Sequence, residues 1–495
     1  MNIKHKLCRY LITSFTVFWV ILIAISNAEV IRIPEDNNSI QDAIDESEQG
    51  DTLLIAPGEY DVSLEIEDHG LTLASEYLFD DDSTIIEETI LSGGNNFTVL
   101  TIDSLGADTV NIIGLTIANG MNLHPVDTGA GIVCLGARIN LTNNIIRDNY
   151  ASYTAGINLR NCTGTIINNR IVDNTATSSI GGLKAGHCNL FIEGNSFIGN
   201  TAGFHSGGMY GYSGSLNIRD NLFELNSSPI GGGLYLAFGH HQIENNVFRQ
   251  NSAPTDEGTG GGLSVRGSNR RDEYMGNVVI RNNIFFENSS GSMGGGLNVT
   301  TFFISLDIYN NVFEDNNALS GGAIFIRAGC HLHKNIFRNN HSPQGSIIAS
   351  GSSNGSNPTI YCYENTFIDN YPEDDLYPYY AAISTTSLSA IYVSRCDFMG
   401  NLPAAVGFNR VTNLGTITAL NCYWGDPSGP YHPIENEEGL GDSVDSDMDE
   451  EDFIPFSRQP ISASFKLAVP DSGAERNEIP VHFSWFPSVD YLTGD

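Results

Sequence analysis

The residues best suited to recognise a ligand follow a recurring glycine pair. After Gly182, Gly208, Gly233, Gly262 and Gly296 comes Leu or Met, and after Gly322 comes Ala323. If the first Leu, Ile or Met of each strand points inward, alternate residues face outward. The outward set is Asn158 and Arg160, Lys184, Tyr210 and Tyr212, Tyr235, Ser264 and Arg266, Asn298, then Phe325 and Arg327. The chain carries 58 acidic residues against 23 basic ones, a net charge of −35. A strip holding Arg160, Lys184, Tyr210, Tyr212, Tyr235, Arg266 and Arg327 with almost no carboxylate therefore runs against the composition. Tyrosine faces stack on sugar rings, and guanidinium forks match uronate carboxylates or sulfates. The chemistry expected of the strip is polysaccharide recognition. The competing reading is that Lys, Arg and Tyr simply populate exposed strands.

Catalytic constellations are harder to assemble. Glycoside hydrolysis needs two carboxylates at a fixed separation, and the strip supplies none. Signatures of the polygalacturonase type are absent as a set: Gly186-His187 is in the wrong order, and Asp374-Asp375 sits alone in a tyrosine-rich loop. Lyase chemistry needs less, a base and a group that neutralises the uronate. Lys184, His187, Tyr210 and Arg160 could supply part of that. His187, His205, His240, His241, His331 and His333 are scattered, although His331 and His333 share one strand face and could hold a metal weakly. No catalytic residue, metal or cofactor is assigned. The one Ca²⁺ candidate is the acidic run over 435–452, with Asp445, Asp447 and Asp449, because Ca²⁺ favours many carboxylate oxygens. Its spacing is not that of an EF-hand, and a solvated cap or linker is the favoured reading.

These side chains are positioned by a repeat. The phrase Asn, any residue, a large apolar residue, two residues, Asn begins with Asn144–Ile146–Asn149 and Asn169–Ile171–Asn174. It recurs around Phe197, Phe223, Phe248, Phe285, Phe313, Phe337 and Phe367, and closes as Cys396–Phe398–Asn401. Early copies step by about 25 residues, the range of a stacked solenoid. Residues seven and five before the central apolar one are apolar with polar neighbours (Leu190 and Ile192; Leu306 and Ile308), which is the period of a half-buried strand. The glycine pair permits positive φ or a close backbone approach. The asparagines suit left-handed turns and, turned inward, hydrogen-bonded ladders; the phenylalanines would stack rung on rung. The expected fold is all-β, a single-stranded parallel β-helix of roughly 13–15 rungs, about 65–70 Å long at the spacing of neighbouring strands.

Cys162 and Cys188 occupy matching places in consecutive repeats, as do Cys396 and Cys422. Stacked one rung apart, each pair lies within disulfide range. Side chains in parallel register bridge poorly, so Cys162–Cys188 and Cys396–Cys422 are read as buried thiols in preference to disulfides. The sequons at Asn96, Asn140, Asn226 and Asn298 are read as ladder or turn residues.

The opening "VIRIPEDNNSIQDAIDESEQGDTLLIAPGEY" (Val30 to Tyr60) resembles the start of the pectin-lyase-like β-helix superfamily, where a strand, a capping helix and a first rung of the form G-D-T-x-x-x-x-P-G-x-Y recur. "NIIGLTIANG" (Asn111 to Gly120) resembles an early rung of that superfamily, and "NCYWGDPSGPYHP" (Asn421 to Pro433) its last. The resemblance implies a single-stranded right-handed parallel β-helix with a short N-terminal capping helix, whose apolar stripe is Ile40, Ala43 and Ile44, and admits polysaccharide lyase or hydrolase activity. The pattern of Phe313 to Asn316 with Gly321 to Ile324 resembles polymorphic outer-membrane-protein repeats, which implies a surface adhesin.

Residues 1–28 read as a secretory signal: Lys4, Lys6 and Arg9 precede a mostly apolar stretch that ends in Ser26-Asn27-Ala28. The helix body spans 29–434, an acidic cap or linker 435–460, and 461–495 resembles the start of a truncated fibronectin-III-like sandwich. The charge disfavours nucleic acid and anionic membranes as partners, and no membrane insertion is expected after signal removal. The expectation is an exported, secreted or cell-surface protein, adhesin-like and non-catalytic, binding a polysaccharide or cell-surface glycan. A polysaccharide lyase or hydrolase, and a structural spacer in a larger surface protein, are the alternatives. The oligomeric state is not indicated.

Overall fold

The computed structural model describes residues 28–461 apart from 81, 125–127, 268–275, 301–303, 344–345, 352–356, 372–380, 386–388, 403 and 409–414. The signal segment up to residue 27, the sandwich-like segment beyond 461 and the Asp374-Asp375 pair lie outside the described residues. The chain is a parallel β-solenoid. A typical rung supplies a front strand such as Ile157–Arg160, a side strand such as Thr163–Ile167 and a base strand such as Arg170–Val172. Front and side strands join in one 26-stranded sheet. The base strands form a 13-stranded sheet, which sets the length at about thirteen turns. Each strand pairs in parallel with its counterpart in the next rung.

The corners on either side of the base strand share one device. A residue with φ near +55° turns the chain, and the next residue is a ladder asparagine with its side chain inside the coil. Asn143 and Asp148 precede Asn144 and Asn149, and Asp220 and Leu225 precede Asn221 and Asn226. The ladder reading therefore holds, but the left-handed turn falls on the preceding residue, not on the ladder asparagine. Within the ladder each amide is saturated. Asn226 Oδ1 accepts from Asn200 N and Nδ2, both at 3.0 Å. Asn226 Nδ2 donates to Phe197 O at 2.8 Å and Asn251 Oδ1 at 3.0 Å. One ladder runs from Asn144 to Asn365 and the other from Asn149 to Asn401. In the first, Cys396 takes over the asparagine's place, and its N–H donates to Cys422 Sγ at 3.5 Å.

Between the ladders stands the ring column: Phe197, Phe223, Phe248, Phe285, Phe313, Phe337, Phe367, Phe398 and Trp424, all fully buried. Successive centroids lie 4.5–5.1 Å apart. The inward residues Leu190, Ile192, Leu306 and Ile308 line the same core. Glycines of the recurring pair sit where backbones close up. A Cβ on Gly208 would stand 2.3 Å from Gly233 O, so no side chain fits. The outward place expected for Phe325 holds in a rung that lacks the second glycine. Leu297 pairs with Ile324, not Ala323, so Ala323 stands in for the second glycine and Ile324 fills the core.

Cys162 and Cys188 stack as their spacing implies, Cys162 N donating to Cys188 Sγ at 3.4 Å. Cys134 joins them from the neighbouring front strand, its Sγ 3.5 Å from that of Cys162. Every cysteine among the described residues is a free thiol.

Both ends of the solenoid are closed. The helix Ile40–Glu46, capped by Ser39 Oγ accepting from Asp42 N, buries Ile40, Ala43 and Ile44 on the first rung. At the other end Val444, Met448 and Phe453 of the acidic segment join the core. Asp442 finishes the second ladder: its carboxylate accepts from Gly400 N, Asn401 N and Asn401 Nδ2 at 2.8–2.9 Å. Burial pushes this carboxyl above the usual range, against the pull of its three donors.

Two outcomes test the ladder. Asn226→Ala orphans the Asn200 N–H inside the coil, and equilibrium unfolding should show a loss of about 3 kcal/mol. Leu225, 47% exposed at φ +56°, occupies a position where other rungs place Asp, Asn, Gly, Gln or Glu. Leu225→Asn should leave the fold intact and raise stability by about 1 kcal/mol in the same assay.

Candidate functional site

The front strands bring the strip together in register. Asn158, Lys184, Tyr210, Tyr235, Ser264, Asn298 and Phe325 are successive Cα partners in one outward column. Arg160, Gly186, Tyr212, Ala237 and Arg266 form the column beside it. Spacing in the sequence thus placed Arg160, Lys184, Tyr210, Tyr212, Tyr235 and Arg266 on one face. Arg327 lies further along, its guanidinium 5.0 Å over the Phe325 ring and its Nη2 3.7 Å from Met293 Sδ.

Exposure departs from the expectation. Lys184 is 7% exposed and Tyr235 4%, so neither is an open strand residue. The cause is a wall that the front strands do not themselves form. Tyr153, Ser179 and His205 occupy equivalent places in three consecutive rungs, at the corner just before the glycine pair, and fold against the strip. Lys184 Nζ lies 4.6 Å from the Tyr153 ring centroid, a cation–π contact. His205 stacks on Tyr210 at 5.2 Å and on Tyr235 at 5.9 Å, with Ser179 Oγ 2.9 Å from its Nδ1. Tyr210 and Tyr235 stack on each other at 5.0 Å. Arg160 and Arg266 remain exposed, and Tyr210 and Tyr212 half-exposed.

The result is an aromatic cluster under cationic influence. Tyr153, His205 and the exposed Phe204, whose ring meets His205 edge-on at 4.6 Å, were not singled out as site residues from the sequence. The 26-residue step from Tyr153 to Ser179 to His205 was the available signal. Burial holds the His205 imidazole below its ordinary pKa, and Arg266 and Lys184 lower it further. Burial pushes the Tyr235 hydroxyl up, while a hydrogen bond from Arg266 opposes that shift. Burial also raises Tyr210, and neighbouring phenols add to it. The neutral forms of these rings are favoured, with cationic side chains beside them. That arrangement suits an apolar sugar face bearing a negative substituent.

The other candidates are not gathered into a centre. His187 is the left-handed corner residue ahead of Cys188 and meets Tyr212 edge-on at 5.1 Å. Of the lyase set, Lys184 lies over the Tyr153 ring and neighbours Tyr210 as its Cα partner, and Arg160 pairs with Gly186, next to His187. His331 stacks on Tyr361, and His333 lies between Tyr309 and Tyr363. Among the described residues no group of three or more His, Cys, Asp or Glu is placed to hold a metal. The Ca²⁺ candidates Asp445, Asp447 and Asp449 are not such a group. Asp445 Oδ1 accepts from Asp447 N at 3.1 Å, and Asp449 forms a capping box with Asp452. Local turn chemistry therefore occupies the run. No helix among the described residues is long and apolar enough to cross a membrane.

Residues 130–303 match the family model of the right-handed β-helix region. With the stacked rungs described above, the fold is a right-handed parallel β-helix, as the sequence analysis expected. No curated protein matches the chain. Among solved structures it is similar to DFA-IIIase from Arthrobacter chlorophenolicus A6 without its lid, at 12% identity and a TM-score of 0.30, covering 86% of this chain and 100% of that one. The same enzyme in complex with DFA-III is similar at 13% identity and a TM-score of 0.24, covering 88% of this chain and 99% of that one.

The lowered pKa of His205, and of His241, which burial holds down to about 4, sets a pH dependence. An unfolded histidine takes up its proton first as pH falls. The stability tied to both neutral rings is therefore present above the ordinary histidine pKa and is lost progressively on acidification below it. Thermal melts between about pH 7 and pH 4 should show that loss, and replacing His241 with Phe should flatten it.

Proposed function

We propose that this protein is an exported, non-catalytic β-helix that binds an anionic polysaccharide along its front face, in the manner of an adhesin. One observation carries the reading: the stacked rings of His205, Tyr210 and Tyr235 stand beside Arg266 and Lys184, in a chain whose net charge is −35. An acidic protein repels anionic polymers at long range. A local cationic and aromatic patch would reverse that repulsion at one place, and so give position and specificity to binding. Sugar faces would lie on the half-exposed Tyr210 and Tyr212, backed by the buried Tyr235 and by His205, while uronate or sulfate groups would meet the exposed Arg160 and Arg266. A column of equivalent places one strand spacing apart also suits a repeating ligand laid along the rod. A secreted or surface location agrees with the signal-like first 28 residues.

The test is affinity electrophoresis and calorimetry against polygalacturonate, alginate and a sulfated glycan. Binding should weaken with added salt and fall about tenfold in the Arg160→Ala, Arg266→Ala double variant, since these exposed side chains would supply charge-assisted contacts. Unchanged binding in that variant would refute the placement. Release of unsaturated sugar ends absorbing in the near ultraviolet would replace the binding reading with a lyase.

A further inference from the structure

A second ring assembly stands outside the coil on a different face. In the last rungs the side strands turn His331, Tyr361 and Tyr392 outward as successive Cα partners. Their centroids are 5.2 and 5.7 Å apart, with 18° between neighbouring planes. Beside them Tyr309, His333 and Tyr363 form a parallel column at 5.0 and 4.8 Å. Tyr361 is 45% exposed and Tyr392 47%, although both are large and stacked. The centroid separations in the outer column exceed the roughly 3.5–4 Å of van der Waals contact, so the rings overlap like shingles and leave part of each face turned to solvent. The fold does not require this. Earlier rungs put Asn217 and Gln242 in the same outward column.

The electrostatics differ from those of the front face. Arg281 is bound to Glu244 at 2.7 Å and to the Tyr309 hydroxyl at 3.3 Å. Asp307 meets His333 at 3.1 Å, and Lys334 and Arg395 both pair with Glu364. The charges bordering the plate are thus engaged with one another, and it presents rings and phenolic hydroxyls.

We infer that this plate is a separate binding site for an uncharged, extended β-linked polysaccharide lying along the solenoid axis. Such a chain advances by about one sugar per strand spacing, so successive sugars would meet successive rings. Apolar sugar faces would lie on the shingled rings, and equatorial hydroxyls would bond the tyrosine hydroxyls. Glu244, Asp307 and Glu364 at the border offset its cations and disfavour an anionic ligand, in contrast to the one proposed for the front face. The protein would then hold two glycans of different charge on two faces of one rod.

The test uses the full chain and cellohexaose, xylohexaose and mannohexaose as probes in calorimetry. At least one should bind with an affinity insensitive to salt. Tyr361→Ala with Tyr392→Ala should weaken that binding about tenfold or more, Tyr361→Phe with Tyr392→Phe should keep most of it, and Arg160→Ala with Arg266→Ala should leave it unchanged. A readout that needs no variant is nitration of Tyr361 and Tyr392, which the bound oligosaccharide should block. The inference is overturned if none of the three probes binds, if the alanine pair binds as the unaltered protein does, or if the oligosaccharide leaves nitration unchanged. It is also overturned if sedimentation shows the plate buried in a dimer that the alanine pair dissolves. Failure of anionic glycans to bind would bear on the front face alone.

Discussion

A coil wound this tightly has to turn a corner every few residues, and each corner carries backbone N–H and C=O groups into a core that water does not reach. An unmatched donor there costs about 1–3 kcal/mol, and the cost recurs at every rung. The buried asparagine ladders remove it. Each amide accepts from the rung before and donates to the rung after, so one side chain serves two corners. The left-handed residue ahead of it makes the turn, and Asp442 supplies the acceptor where the second ladder runs out. Phenylalanine stacking and strand pairing follow once this spacing holds.

The arrangement separates structure from recognition. Because corners, ring column and inward aliphatics carry the stability, the outward side chains of the front and side strands are free to vary from rung to rung. The front face uses that freedom for Tyr210, Tyr235, Arg160 and Arg266, and a wall of Tyr153, Ser179 and His205 packs over part of it. The late side face uses it for shingled rings with neutralised borders. Elsewhere the same outward positions carry cross-rung ion pairs such as Glu193 with Arg219. Acidic residues also act as local caps, as Asp442 does on Asn401 and Asp449 on the helix Glu450–Phe453.

Much of the fold was legible before any coordinates, because a repeat shows its register. The inward places of Leu190 and Ile192, the Phe column and the Cys162 and Cys188 stack all follow from period and spacing. The errors are equally physical. Asparagine is a good left-handed residue, so the turn was assigned to the ladder position when it falls one residue earlier, where Asp, Gly, Glu and even Leu are tolerated. Tyr361 and Tyr392 stand six residues before Phe367 and Phe398, between two inward positions, so their outward direction was also readable.

Local chemistry thus determined the element type, the register and the residues that share a face, because each depends on spacing along one chain segment that is then stacked on copies of itself. Tertiary structure alone decided what covers that face. Tyr153 and His205 lie before the glycine pair and Lys184 and Tyr235 after it, and only the closing of the corner brings those segments into contact. That contact buries Lys184, lowers the His205 pKa and turns an open strip into a walled aromatic cluster. The paired borders of the second plate arise in the same way: Glu364 meets Lys334 from the rung before it and Arg395 from the rung after it.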